Sequence, residues 1–205
     1  MRNQTKHTFF VKDIGEIRSG HLFSRKVVSQ EDGNIKVVQL KDVDDIFGLN
    51  GEKLVSVKLD KVSEDIVLRK GDVLFKSKNL NHTASVFDAD LAGPAVPTAH
   101  FFIVRPTMEG ILPGYLAWFM NQRPAQRYFE TVSAGSTVPI VNKKGLENLK
   151  IPIPSIRLQE EATEMHQLFL QEKSLVMKLM DRRESLITEA LLKAVETYPA
   201  RYESL

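Results

Sequence analysis

The chain has 205 residues, 42% hydrophobic and 26% charged, which is an ordinary globular composition of one domain plus an appendage. It holds no cysteine, which excludes disulfides and thiolate–metal sites, and no apolar run approaches the roughly 20 residues of a membrane span. Net charge is +2 but uneven: residues 1–150 carry 21 Lys+Arg against 17 Asp+Glu, and residues 151–205 carry 7 against 9. The mildly basic part suits nucleic-acid contact better than the mildly acidic part. The opening MRNQTKHTFF lacks the apolar core of a signal peptide, so a cytoplasmic protein is expected.

In chain order, residues 9–18 (FFVKDIGEIR) read as one strand that Ser19-Gly20 breaks. The loop that follows, Gly20 to Lys26, mixes aromatic and basic side chains, including Arg25 and Lys26. Two readings stay open for it: a loop reaching a phosphate backbone or groove, or a basic surface loop with Leu22 or Phe23 tucked into the core. Residues 34–40 (NIKVVQL) form the next expected strand. Asp42, Asp44 and Asp45 then read as a solvated turn, because the glycine and terminal glutamate of a calcium loop are missing.

Residues 53–59 alternate polar and apolar side chains, as a half-buried strand does. Arg69-Lys70-Gly71-Asp72 is a turn signal ahead of the strand Val73-Leu74-Phe75. That strand exits into Lys76-Ser77-Lys78-Asn79-Leu80-Asn81-His82, the best nucleic-acid signal in this half. Lys76 and Lys78 offer ammonium groups to phosphates, and Asn79, Asn81 and His82 offer groups that pair with base edges. The competing reading is a polar loop without a partner.

Residues 96–104 (VPTAHFFIV) read as a buried strand, with His100 a satisfied strand histidine. Pro113 to Tyr128 reads as one helix with Pro113 in its first turn, Tyr115, Leu116, Trp118, Phe119 and Met120 packing the core, and Gln122, Arg123, Gln126 and Arg127 outside. A small-residue loop around Gly135, Ser136 and Thr137 leads to the basic pair Lys143-Lys144. The lysine placement of a phosphate-binding P-loop is absent there.

Pro152 and Pro154 read as a hinge, and from about Arg157 to Glu196 no Pro or Gly appears. Forty residues of helix run about 60 Å, too long for a compact domain of this size to cover, so the helix requires a partner. Its apolar stripe near heptad spacing comprises Ala162, Met165, Phe169, Val176, Leu179, Leu186 and Ala190, with Leu168, Leu175, Ile187 and Leu191 widening the face. Catalytic signatures are missing: no nucleophile elbow, no HExxH, no cofactor glycine fingerprint, and no Asn-Pro-Pro-Tyr or Asp-Pro-Pro-Tyr tetrapeptide. No enzyme activity and no metal site are expected.

The run Gly135-Ser136-Thr137, Ile140, Lys143, Leu146, Leu149, Ile151-Pro152-Ile153-Pro154 and Gln159-Glu160 resembles the specificity subunits of Type I restriction-modification systems. Val11-Lys12-Asp13-Ile14, Ser19-Gly20 and the Arg69–Leu74 turn sit where that family has similar stretches. Ser155-Ile156-Arg157-Leu158 departs from the usual further proline and acidic residue, and complete members are about twice this length. The resemblance implies an α+β fold: a globular mixed target-recognition domain over 1–150, then a proline hinge and a long coiled-coil-type dimerisation and spacer helix over 151–205. It also implies reading of one half of a bipartite double-stranded DNA target, with the helix docking methyltransferase and, beyond it, motor-nuclease subunits. S-adenosylmethionine, Mg and ATP would belong to those partners, and no cofactor to this chain. A second copy or another half-subunit would pair through the helix.

Because the head varies within such a family, DNA contacts are assigned by chemistry and loop position: Lys76, Lys78, Asn79, Asn81, Arg25, Lys26, Ser136, Lys143 and Lys144. A stand-alone dimeric DNA-binding regulator and an assembly factor that binds no DNA remain the alternatives.

Overall fold

A computed structural model describes residues 7–51, 54–135 and 137–197. The chain divides into two compact units, Met1–Glu164 and Met165–Leu205. The first unit opens with β1 (His7–Phe10), a single helical turn α1 (Val11–Ile14) and β2 (Gly15–Ser19). The stretch expected as one strand is thus two strands around a turn. Val11 and Ile14 are buried there while Lys12 and Asp13 face out, a spacing that a helical turn satisfies and a straight strand does not.

Next come β3 (Ile35–Val38), β4 (Val43–Asp44), β5 (Gly48–Leu49), β6 (Val55–Val57), β7 (Val73–Lys76) and β8 (Ala84–Val86). The expected buried strand over 96–104 is β9 (Ala95–Pro97) and β10 (Phe101–Pro106), separated by a turn. Four antiparallel strands in the order β2-β10-β7-β8 form the main sheet. A mixed sheet β6-β3-β9 and the ribbon β4-β5 lie beside it in sequence. Strand β7 is buried along its whole length, and Phe75, Phe101 and Leu74 are wholly inaccessible.

The helix expected over 113–128 is two: α2 (Pro113–Met120) and α3 (Arg123–Val132). Each begins with a proline in its first turn, a position where the missing N–H costs nothing, and Pro124 ends the preceding helix for the same steric reason. Gln126, expected outside, is half-buried and donates to the carbonyls of Met120 and His82. A short α4 (Lys143–Glu147) is capped by Asn142, whose Oδ1 accepts from Gly145 N at 2.8 Å.

The expected proline hinge is structured. Pro152 lies in β11 (Lys150–Ile153), which pairs antiparallel with β1 in the register Thr8 to Pro152. Beyond it runs α5 (Ile156–Thr197). Its first turns belong to the first unit, because Gln159 is fully buried and bonded to Leu112 N (3.0 Å), Gly110 O (2.8 Å) and Pro154 O (3.0 Å). Ala162, expected on the dimer stripe, packs against the head's core instead. In the second unit the other stripe residues face solvent: Met165 is 72% exposed, and Phe169, Val176, Leu179 and Leu186 are 48–59% exposed.

Candidate nucleic-acid interface

The loops singled out by sequence meet along one run of backbone hydrogen bonds. His21 N donates to Pro97 O (2.7 Å) and Ala99 N to His21 O (2.8 Å). Ser77 N and Oγ both donate to His100 O at 2.8 Å, and Val141 N donates to Ser77 O at 2.9 Å. Bridges pair His21 with Thr98, Lys78 with Ile140, and Ala134 with Ile140. Loop 20–26 is therefore laced to loop 76–82 through the 98–100 turn, and loop 76–82 is joined directly to loop 133–144, all distant in sequence. Glycine is required at one point of this lacing: a Cβ at Gly20 would lie 2.2 Å from Thr98 O.

Loop 76–82 carries less outward charge than expected. Lys76 is 3% exposed; its ammonium donates to Val43 O (2.6 Å) and pairs with Asp45 Oδ1 (2.5 Å). It is committed inside the domain and is not placed to meet a phosphate. His82 is likewise buried: Nδ1 lies 3.0 Å from Lys76 O, Nε2 lies 3.1 Å from Ser133 Oγ, and the ring stacks beside Phe75. Both residues hold the loop's base. Lys78, Leu80 and Asn81 remain exposed, and half-buried Asn79 donates to Asn81 O.

The acidic cluster is a solvated turn only at exposed Asp44, whereas Asp42 and Asp45 are half-buried. Asp42 accepts from Gln39 N, and Asp44 from the amides of Ile46 and Phe47. Asp45 accepts from Lys76, Thr83 Oγ1 (2.9 Å) and Asn81 Nδ2 (3.2 Å). Burial raises the Asp45 pKa, but the hydrogen bonds from Lys76, Asn81 and Thr83 outweigh it and hold the carboxyl below its ordinary value. A second closed pair sits at the 69–72 turn, where Asp72, 1% exposed, accepts from Arg105 Nε and Nη2 at 2.7 Å each. That turn also uses Gly71 at φ +91°.

Loop 20–26 resolves between its two readings residue by residue. Phe23 tucks against the cluster around Ile35, Val37 and Val96, while Leu22 stands 80% exposed and Arg25 and Lys26 face out. The loop walls a cleft of about 480 Å³ whose far side is Gln39, Leu40, Lys41 and the 98–100 turn. His100, expected as a satisfied strand histidine, is exposed at its rim. Lys143 and Lys144 are exposed at the start of α4, Lys143 within 3.8 Å of Glu147; Ser136 lies outside the described residues.

Sequence reasoning passed over Gln39 and Lys41, and gave His100 and Asp45 other roles than the ones they hold. The strand ending in Gln39-Leu40 was read for its apolar content, and no local spacing announces that its end faces a loop nearly 60 residues away. Among the described residues, no group of three or more His, Asp or Glu is arranged to hold a metal, and no helix is long and apolar enough to cross a membrane.

The model of the family described as "Type I restriction modification DNA specificity domain" matches residues 3–173. The chain belongs to this family. It is 26% identical over 154 residues to the Type I restriction enzyme MjaIX specificity subunit of Methanocaldococcus jannaschii, covering 74% of this chain and 34% of that protein. It is 23% identical over 205 residues to the EcoR124I/EcoR124II specificity subunit of Escherichia coli, covering 94% and 46%. The chain thus spans less than half the length of these curated relatives. Among solved structures, the HsdS subunit from Thermoanaerobacter tengcongensis matches with a TM-score of 0.58 at 15% identity, over 88% of this chain and 40% of that one. The Type-I restriction-modification system S subunit from M. genitalium gives 0.57 at 12% identity, over 92% and 46%. At such identities these structures speak for the α+β fold of the specificity subunits.

Proposed function

We propose that this head-and-helix unit reads one half of a bipartite double-stranded DNA target for a Type I restriction-modification complex and contributes no catalysis of its own. The observation that carries the reading is the lacing of loops 20–26, 76–82, 98–100 and 133–144 in a chain of this family, with cations left outward along them. Arg25, Lys26, Lys41, Lys78 and Lys144 have no ion-pair partner among the described residues and are free for phosphates. Lys143 adds to them, and Asn79 and Asn81 supply amides for base edges; Ser136 stays a candidate by its place in the sequence. Lys76 is left out.

The exposed apolar face of α5 beyond Glu164 supports pairing with another such helix, from a second copy or from another head-and-helix unit. Methyltransferase subunits would dock on the assembled helices and bring S-adenosylmethionine; a motor-nuclease subunit bringing Mg and ATP would join that complex. A two-fold pair of identical units would read a gapped palindrome.

Modification-sensitive sequencing of the source genome with and without the gene tests this. Loss of a gapped methylated motif with the gene is the expected result, palindromic for identical units and asymmetric for different ones. Unchanged methylation in a strain whose methyltransferase is active rejects the specificity role.

A further inference from the structure

Two charges, Glu172 and Arg183, interrupt the exposed apolar stripe of α5, and both are exposed. With them counted in, the stripe from Met165 to Ala190 keeps unbroken heptad spacing, each step being three or four residues. The two charges therefore lie on the seam itself and not beside it. On a helix surface the neighbours of a residue are those three and four positions away. Around Glu172 these are Leu168, Phe169, Leu175 and Val176, and around Arg183 they are Leu179, Met180, Leu186 and Ile187. All are apolar, so neither charge has an opposite charge within reach along its own helix, and neither has an ion-pair partner among the described residues. Covering the stripe with a purely apolar surface would bury both charges unpaired, which is strongly destabilising.

Resting on the helix pairing above, we propose that the stripe is covered by a second copy of this chain, and that Glu172 and Arg183 fix its direction and register by pairing with the partner's Arg183 and the partner's Glu172. A copy of the helix turned end for end about the midpoint between Met177 and Lys178 sets Glu172 opposite Arg183 twice over. The same turn sets Phe169 against Leu186, Val176 against Leu179 and Met165 against Ala190, apolar against apolar. The stripe is thus complementary to itself, as a two-fold pair requires. A parallel pair in register would instead set Glu172 against Glu172 and Arg183 against Arg183, like charges in an apolar seam. Sliding a parallel helix by the eleven residues between the two charges unites them only once and breaks the heptad layers, because eleven is not a multiple of seven. Polar seam positions of this kind fix register at a cost in stability.

The test is sedimentation equilibrium of the full chain over a concentration series, with the two charges reversed. Glu172→Arg and Arg183→Glu each turn both opposite pairs into like pairs, and each should raise the dissociation constant by about 100-fold, about tenfold per pair. Mixing the two variants in equal amounts should restore association, because every charge then meets its opposite on the other chain. The chain carrying both reversals should associate like the parent. Recovery in the mixture also shows that neither variant lost its fold, and loss without recovery overturns the inference. A parent that stays a monomer across the series overturns it as well, since the partner is then a different unit. Association that both single variants leave unchanged overturns the inference alone and keeps the helix pairing. Association that also survives Leu179→Ala rejects the helix pairing on which the inference rests.

Discussion

The head and the distal helix use the same apolar residue types in opposite ways. Within Met1–Glu164, side chains such as Phe75, Leu116, Met120 and Phe129 are wholly buried by their own unit. Within Met165–Thr197, Met165, Leu168, Leu175, Leu179, Leu191 and Val195 are each more than half exposed. Among the described residues, closed ion pairs occur only in the head, beside solvated ones such as Lys58 with Asp32. The head closes Asp72 onto Arg105 and Lys76 onto Asp45, whereas the described ion pair of the distal helix, Lys193 with Glu189, is solvated. The first unit thus buries its large apolar side chains within itself, and the second leaves an apolar face exposed, the face that the proposed pairing of helices would cover.

The sharpest way to break this contrast is to delete the same kind of group from each unit. Phe129→Ala removes a fully buried ring whose centroid lies 4.7 Å from that of Phe75, and should cost the head about 3 to 5 kcal/mol. Leu179→Ala should leave the head's thermal midpoint in place and lower only the concentration-dependent association of the chain. Unfolding curves and sedimentation at several protein concentrations read the two effects. A concentration-independent loss on Leu179→Ala would mean that the helix face is not an intermolecular surface.

The next effect concerns charge. Asp72→Asn leaves a guanidinium without its partner at a site where the carboxylate is 1% exposed, and should destabilise by about 3 kcal/mol in denaturant titration. Lys193→Ala, by contrast, removes an exposed i,i+4 pair and should change stability by no more than about 0.5 kcal/mol. Equal costs would erase the distinction between the closed charges of the head and the wet charges of the helix.

How much of this was legible in the sequence follows from the range over which each signal acts. The Pro- and Gly-free run from 157 to 196 marked α5 nearly to its ends, since helix periodicity is local. Strands at 35–38 and 73–76 were legible for the same reason. The break between α2 and α3 was marked by Pro124, but the surrounding apolar density hid it. The misreadings at the candidate site were non-local. Whether Lys76 faces a phosphate or Asp45 depends on a partner 31 positions away, and residue type alone is the same in both cases. The outward fate of His100 depends on Ser77 bonding its carbonyl and on His21 bonding the neighbouring amide of Ala99. Residue chemistry singled out whole loops; which member of each loop points out is a property of the tertiary lacing.

A third comparison lies inside the head, between cations that are closed and cations that stay open. Lys78→Ala should weaken binding to all double-stranded DNA alike and flatten the plot of log affinity against log salt by about 0.9 for each phosphate no longer neutralised. Lys76→Met should act differently: it removes a buried charge, leaves Asp45 without that partner, and changes stability before it changes the salt slope. Fluorescence anisotropy over a salt series reads both. A slope that falls with Lys76→Met at unchanged stability would return Lys76 to the interface.

The smallest expected effect is the response of the Asp45 clamp to acid. Its pKa is held down in the folded chain, because bonds from Lys76, Asn81 and Thr83 outweigh the penalty of burial. For a carboxyl whose folded pKa is depressed, the stabilisation is fully present above the unfolded value near 4 and fades as pH falls from there through the folded value. Asp45 is 33% exposed, so solvent screening keeps this contribution below about 1 kcal/mol. Measured against Asp45→Asn, which has no proton to gain, the parent should be the more stable protein at pH 6 and lose its margin progressively below about pH 4. The loss should be felt first where Asp45 holds Asn81 and Thr83, so amide exchange in residues 78–83 should quicken in the parent before the sheet core loosens. A margin that is constant across this range would show that the carboxylate charge does not hold the loop, and would leave His82, through Lys76 O and Ser133, as its principal anchor.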